Sequence, residues 1–259
     1  MKVSNQNVYI TGSNRGIGLA LAKRAAKLKN HLNLVNRSKL KKEDLEVLKK
    51  LGALTVNEIS LDLMKKDEIN NFIKSLDGKR IDVFINNAGL LSGGLIENQK
   101  IDDIYDMFQV NVNAVIQICR GLVPIMTKQK SGCIVNNASV SGKMFFPCAS
   151  TYAASKAAIV AFTESIAQEL EPTGVKTLTM ITPGVKTEMY DDIENLYGDN
   201  LDLDFMSSIP AEKWAEEVFN SLENGDRICW PKGASRIGVW VGHHIPSLMR
   251  RVVRPKFKR

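Results

Sequence analysis

No CxxC pair, no tandem repeat, no low-complexity stretch and, after Asp226, no acidic residue occurs in these 259 residues. The missing cysteine spacing makes Cys119, Cys133, Cys148 and Cys229 read as reduced packing thiols, and no metal site is expected. Without repeats, a 28.7 kDa chain that is 44% hydrophobic and 24% charged has the size and composition of one large α/β domain. Residues 1–7 lack the long apolar segment of a signal peptide, and no later run reads as long enough to cross a bilayer. The expected location is therefore the cytoplasm. The missing acids are local: nine Lys or Arg fall between Arg227 and Arg259, while the other 226 residues hold 26 basic against 28 acidic residues. A net charge of +7 and a pI near 9.2 thus describe a basic tail on a near-neutral body, and no nucleic-acid partner is expected.

Short apolar runs alternate with helix-like stretches. Strands are expected at 7–10, 32–35, 54–59, 81–85, 133–136, 175–181 and 227–230. Helices are expected at 16–28, through Leu45 and Leu48 with Gly52 as a cap, and at 67–76, 101–126, 151–170 and 211–222. This order predicts a Rossmann-like, doubly wound parallel sheet with helices on both faces, in a single domain spanning 1–233. Within it, residues 185–209 turn irregular, with Met189, Tyr190, Leu196, Tyr197, Leu201 and Phe205 among acidic residues, and read as a mobile substrate cap. Residues 234–259 form a basic, partly apolar extension.

Gly12-Ser13-Asn14-Arg15-Gly16-Ile17-Gly18 follows the first strand and opens the first helix. Glycines in that context let backbone N–H groups approach a pyrophosphate, whose charge the helix N-terminus stabilises. At the end of the second strand, a carboxylate would bind a free ribose 2′-hydroxyl and repel a 2′-phosphate. Asn36-Arg37-Ser38 stands there instead. Arg37 and Arg15 are each suited to pair with the phosphate, which favours NADP(H) over NAD(H).

Tyr152 and Lys156, four apart in a helical segment, share one face. A neighbouring ammonium, helped by the positive charge of an oxidised nicotinamide, is expected to lower the tyrosine pKa from its ordinary value of about 10. Ser139 ends the fifth strand, where open α/β sheets bind ligands, and Asn86-Asn87-Ala88-Gly89 ends the fourth.

In order and spacing, Thr11-Gly12-x-x-x-Gly16-x-Gly18, Asn86-Asn87-Ala88-Gly89, Ser139, Tyr152-x-x-x-Lys156 and Pro183-Gly184 resemble the short-chain dehydrogenase/reductase family over about residues 7 to 231. The resemblance implies that Tyr152 gives a proton to a carbonyl oxygen that Ser139 orients. Lys156 would hold the nicotinamide ribose and Asn111 a water that links Lys156 to solvent. It further implies adenosine contacts from Asp62, Leu63, Asn86, Ala88 and Gly89, and nicotinamide contacts from Pro183, Gly184, Val185 and Thr187. The implied partner is a small carbonyl or alcohol. Cys229-Trp230-Pro231-Lys232-Gly233 replaces the Val-Asp-Gly-Gly ending of the tetrameric ketoacyl reductases, so a dimer is expected rather than a tetramer. The ending looks more like that of members acting on lipid-like carbonyls. Met144, Phe145, Phe146, Met189 and Tyr190 are expected to flank an apolar substrate.

Two other readings compete. A non-enzymatic NADP(H) sensor on this fold would be favoured by loss of the tyrosine or lysine, and both are present. A nucleic-acid or membrane-surface binding role rests only on the tail, where apolar residues interleave with Arg236, Arg250 and Arg251.

Overall fold

Strands β1 (Asn7–Thr11), β2 (His31–Asn36), β3 (Thr55–Ser60), β4 (Val83–Asn86), β5 (Gly132–Asn137), β6 (Val175–Met180) and β9 (Ile228–Cys229) build the central sheet of this computed structural model, which describes residues 2–204 and 206–259. Their order is β3-β2-β1-β4-β5-β6-β9, with every neighbouring pair parallel. The seven strands are counted among the described residues. The chain reverses direction of travel between β1 and β4, which opens a crevice at the strands' carboxyl ends.

Alternate residues of each strand feed opposite faces, and both faces are covered, so the central strands are apolar through their middles, with buried asparagine and threonine towards their carboxyl ends. Val8 and Ile10 of β1 join Leu32 and Leu34 under helices α1 (Gly16–Lys27) and α8 (Ala211–Asn224), where Leu21, Trp214 and Phe219 are buried. Tyr9 points the other way, stacking on Phe84 beneath α3 (Lys66–Ser75), α5 (Ala114–Gln129) and α6 (Ser150–Leu170). Each large side chain so buried contributes about 1.5–3 kcal/mol. Helix α2 (Lys42–Lys50) packs beside α1, and Gly52, at φ +105°, ends its turn as expected.

Three expectations change. The helix expected over 101–126 is α4 (Ile101–Phe108) and α5 joined by a π-helical turn, Gln109–Asn113. That whole stretch, Ile101–Gln129, is long and apolar enough to cross a bilayer by length and composition, contrary to the sequence reading. Half of its apolar window is buried inside the fold, the pattern of a core helix. The cap is not irregular: β7 (Gly184–Lys186) and β8 (Ser208–Pro210) pair in parallel, and α7 (Glu188–Tyr197) lies between them. The Thr187 side chain caps α7 by accepting from Tyr190 N, and Glu188 and Asp191 favour its positive end. Phe205 lies outside the described residues.

The tail folds back. Helix α9 (Ala234–His244) sends Val239 into the cluster that holds Tyr9, while α10 (Pro246–Val253) lies against the cap, Val253 joining Cys148, Tyr197 and Leu201 in a third core cluster. Phe257 bridges to Leu201, Lys256 pairs with Asp202, and Arg259 pairs with Glu97.

Candidate active site

A cavity of about 930 Å³ occupies the crevice. Its floor is the turn between β1 and α1. Gly12 adopts φ +62°, and a Cβ there would stand 2.9 Å from Ala88 Cα. A Cβ on Gly18 would stand 1.9 Å from the Gly12 carbonyl oxygen. Only glycine lets the helix start so close to the turn. Helix α1 has no acidic residue in its first turn and no side-chain cap, so its first N–H groups and positive end face the cavity without competition. This cradle fits the diphosphate of a nicotinamide dinucleotide.

Asn14, Arg15, Gly16, Ile17, Asn36, Arg37, Ser38, Asp62, Leu63, Ala88 and Gly89 line that cavity as expected from sequence, with Tyr152, Lys156 and Thr187 at its far end. Ser13 and Asn86 do not. Ser13 is fully buried, and Asn86 turns beneath the floor to donate to Asn136 Oδ1 at 2.8 Å. The neighbouring Asn87 takes the lining position. Asn36 is largely spent on the turn itself, accepting from Ser13 N at 2.6 Å. Arg15 pairs with Glu188 across the cavity's lip, whereas Arg37 is exposed and has no ion-pair partner among the described residues.

Tyr152 and Lys156 sit on the first turns of α6, held against the Ser139 turn because Gly142 carries no side chain. A Cβ on Gly142 would meet the Lys156 carbonyl at 2.9 Å. Ser139 ends β5 in an extended conformation, and its hydroxyl accepts from Ser141 N at 3.1 Å. Lys156 is buried, donates to the Asn137 carbonyl at 2.8 Å, and stands 5.7 Å from the Tyr152 ring centroid. Asn111 lies in the π-helical turn. Its amide donates to Leu90 O at 2.9 Å and to Ser155 Oγ at 3.2 Å, beside Gly89 and Lys156.

Among the protein's own groups, the lowering of the Tyr152 pKa expected from Lys156 does not appear. Burial pushes the phenol up to about 12, and the Ser139 hydroxyl only partly opposes it. Tyr152 is half-buried by surface area, but its exposed part faces the cavities rather than open water. Burial also brings Lys156 down to about 8. A phenol held neutral at physiological pH is a proton donor, the form that carbonyl reduction requires.

Tyr152 also lines a second cavity of about 330 Å³, shared at its mouth with Ile17, Thr182, Thr187 and Met189. Ser139, Pro183, Gly184 and Val185 line this second cavity rather than the first. Met144, Phe146, Met189 and Tyr190 form apolar walls, and the lining includes no charged side chain among the described residues. Phe145 does not contribute, being 59% exposed on the outer surface. Part of the wall comes from the tail, through Gly238, Met249, Val252 and Val253.

A chain of polar side chains below the site was not singled out from sequence. Thr11 Oγ1 accepts from Asn87 N and Ala88 N, and Asn87 Nδ2 donates to Thr11 O. Asn137 Nδ2 donates to Asn87 Oδ1 at 3.1 Å, and Thr182 Oγ1 donates to Asn137 Oδ1 at 2.6 Å. These bonds tie the ends of β1, β4, β5 and β6 together, and Asn137 also supplies the carbonyl that holds Lys156. The visible signal was the doubled asparagine ending two strands, Asn86-Asn87 and Asn136-Asn137, of which Asn86 and Asn136 pair in register.

Fold and crevice define a dinucleotide-binding α/β protein with a tyrosine–lysine pair at the join of two cavities. The family description for short chain dehydrogenases matches residues 6–197, and the chain belongs to that family of NAD(P)-dependent oxidoreductases. An uncharacterised oxidoreductase of Staphylococcus saprophyticus is 37% identical over 202 residues, 74% of this chain and 79% of its own. The 3-oxoacyl-[acyl-carrier-protein] reductase FabG of Staphylococcus epidermidis is 28% identical, over 83% of this chain and 87% of its own. Among solved structures, a short chain dehydrogenase/reductase of Burkholderia phymatum in complex with NAD superposes with a TM-score of 0.80. It is 24% identical over 96% of both chains, a likeness of fold.

Proposed function

We infer that this enzyme is an NADPH-dependent reductase of apolar ketones or aldehydes. The observation that carries the reading is Tyr152 at the junction of the two cavities, one floored by the glycine turn and the other walled by uncharged side chains. The dinucleotide, when bound, supplies hydride. Gly12, Gly16 and Gly18 admit its diphosphate, and Arg37, the unpaired cation at the adenosine end, takes the 2′-phosphate. Ser139 orients the carbonyl oxygen, Tyr152 donates the proton to it, and Lys156 holds the ribose beside Tyr152. Asn111 positions the solvent link to Lys156. The apolar second cavity excludes water and leaves the hydroxyls of a sugar unpaired, which disfavours polar substrates. Exposed Ile101 and Tyr105 on α4 and Ile116 on α5 support a homodimer. The test is NADPH oxidation across aldehydes, ketoacyl thioesters, steroids, quinones and sugars. Turnover concentrated among apolar carbonyls is expected, and activity confined to sugars or small hydrophilic carbonyls overturns the reading.

A further inference from the structure

The two tail helices have one face committed to the body and one face without a partner. On the inner side, Val239 and Gly242 are buried, and Gly242 lies so close to Met144 that a Cβ there would stand 2.4 Å from the Met144 Cβ. Val253 fills the third core cluster, and the Lys256–Asp202 and Arg259–Glu97 pairs fix the end of the chain. The helices are therefore held in place, and their outer side is a defined surface. That surface is apolar: Ile237 is 67% exposed, Trp240 57%, Ile245 39%, Leu248 44% and Val252 53%. Ile237 and Trp240 are three apart on α9, and Leu248 and Val252 four apart on α10, so each pair shares one side of its helix. A cluster of this kind marks an interaction site, because scattered exposure would need no explanation and contiguous exposure does.

Charge identifies the occupant. Arg236, Arg250, Arg251 and Arg254 are exposed on the same two helices and their end, with no ion pair among the described residues, and no carboxylate lies between Arg227 and Arg259. A nucleic acid would meet the cations and stack a base on Trp240, but it would leave Ile237, Ile245, Leu248 and Val252 without a counterpart. A second copy, paired about a two-fold axis, would bring these arginines towards one another, and the two helices carry no acid of their own to pair with them. An anionic lipid surface satisfies both halves, with apolar side chains below the headgroups and guanidinium groups among the phosphates.

We propose that α9 and α10 dock this protein on an anionic membrane surface, with the substrate cavity opening at the docked face. Val252 joins the two functions, because it lines the cavity and is also half exposed on the outer face. An apolar carbonyl dissolved in the bilayer would reach Tyr152 past α10 without crossing water. That route rests on the reductase reading, whereas the docking does not.

The experiment is co-sedimentation of the full chain with phosphatidylcholine vesicles, with and without phosphatidylserine, at low and high salt. The variants are Trp240→Ser/Leu248→Ser and Arg250→Gln/Arg251→Gln, none of which lines either cavity. Wild type is expected to bind the anionic vesicles, more weakly at high salt. Removing two arginines should weaken partition roughly thirty-fold, and the Trp240→Ser/Leu248→Ser variant should lose it. Turnover of a water-soluble aldehyde should stay at the wild-type level in both variants, so that lost docking is distinguished from lost fold. The proposal is overturned by an absence of binding to anionic vesicles by the full chain, or by binding that neither variant changes. A self-association that both variants dissolve also overturns it and assigns the face to a second copy. Vesicle binding without carbonyl turnover would remove the reductase reading and leave the docking intact.

Discussion

At the scale of single residues, the site rests on a neutral phenol beside a buried cation. Tyr152→Phe removes only the transferable proton, so kcat should fall by about 10² to 10⁴-fold while NADPH affinity holds, checked by turnover and fluorescence titration. Because burial raises the phenol to about 12, alcohol oxidation, which needs the phenolate, should accelerate as pH rises from 7 to 9. Reduction should not accelerate over that range. Lys156 has the opposite linkage. Its folded pKa, about 8, lies below the ordinary 10.5, so burying its charge costs stability at neutral pH, and the cost fades as pH rises from about 8 to 10.5. Lys156→Met should therefore stabilise the fold at pH 7 by about 1–3 kcal/mol, after loss of the bond to Asn137 O is counted, while destroying turnover. Urea denaturation of both proteins at pH 7 and pH 10 should show that gap closing at the higher pH. At the adenosine end, Arg37→Asp should reverse the preference from NADPH to NADH. Arg15→Ala should matter less, since Arg15 is already paired with Glu188. Tyr152, Lys156 and Ser139 could be singled out from spacing and strand-end position taken together with the family resemblance. The direction of the tyrosine shift could not be read there, because it depends on how much water the surrounding fold removes, and a four-residue interval does not record that.

At the scale of elements, the turn between β1 and α1 is set by close approach. Gly18→Ala would drive a Cβ into the Gly12 carbonyl and the Asn87 side chain. The helix must then back away from the turn, at a cost of about 3 kcal/mol, with loss of nucleotide binding. A lowered urea midpoint together with absent NADPH titration checks this; a variant that still binds NADPH normally would show that the close approach is dispensable. Most strands and helices could be read from periodicity because a sheet buried on both faces writes itself as apolar runs and amphipathic helices as a 3.6-residue pattern. The π-helical turn at Gln109–Asn113 left no such mark. It inserts one residue into an otherwise continuous helix, and its purpose is to present Asn111 to Leu90 and Ser155. The elements β7 and β8 also escaped, being three residues long and paired across more than twenty residues of cap.

At the scale of the molecule, the tail and the cap together wall the second cavity. A chain ending at Gly233 should keep its NADPH affinity, since no tail residue lines the first cavity. It should lose the walls given by Met249, Val252 and Val253. KM for an apolar carbonyl should rise roughly tenfold or more, equivalent to about 1.4 kcal/mol of lost apolar contact. An unchanged KM would show that the tail is only an outer covering. The sequence by itself determined the order of the central-sheet strands and most of the helices between them, the glycine cradle, the tyrosine–lysine pair and the basic character of the tail. These are local properties, carried by residue type at short spacing. The tertiary structure decided which of those residues face a cavity: Asn87 rather than Asn86, Phe146 rather than Phe145, and Arg37 rather than Arg15 as the free cation. It also decided that the tail walls the second cavity. Those choices turn on contacts between segments far apart in the chain, such as Asn86 with Asn136, Met144 with Gly242 or Glu97 with Arg259, and pairings at such distances leave no period in the chain.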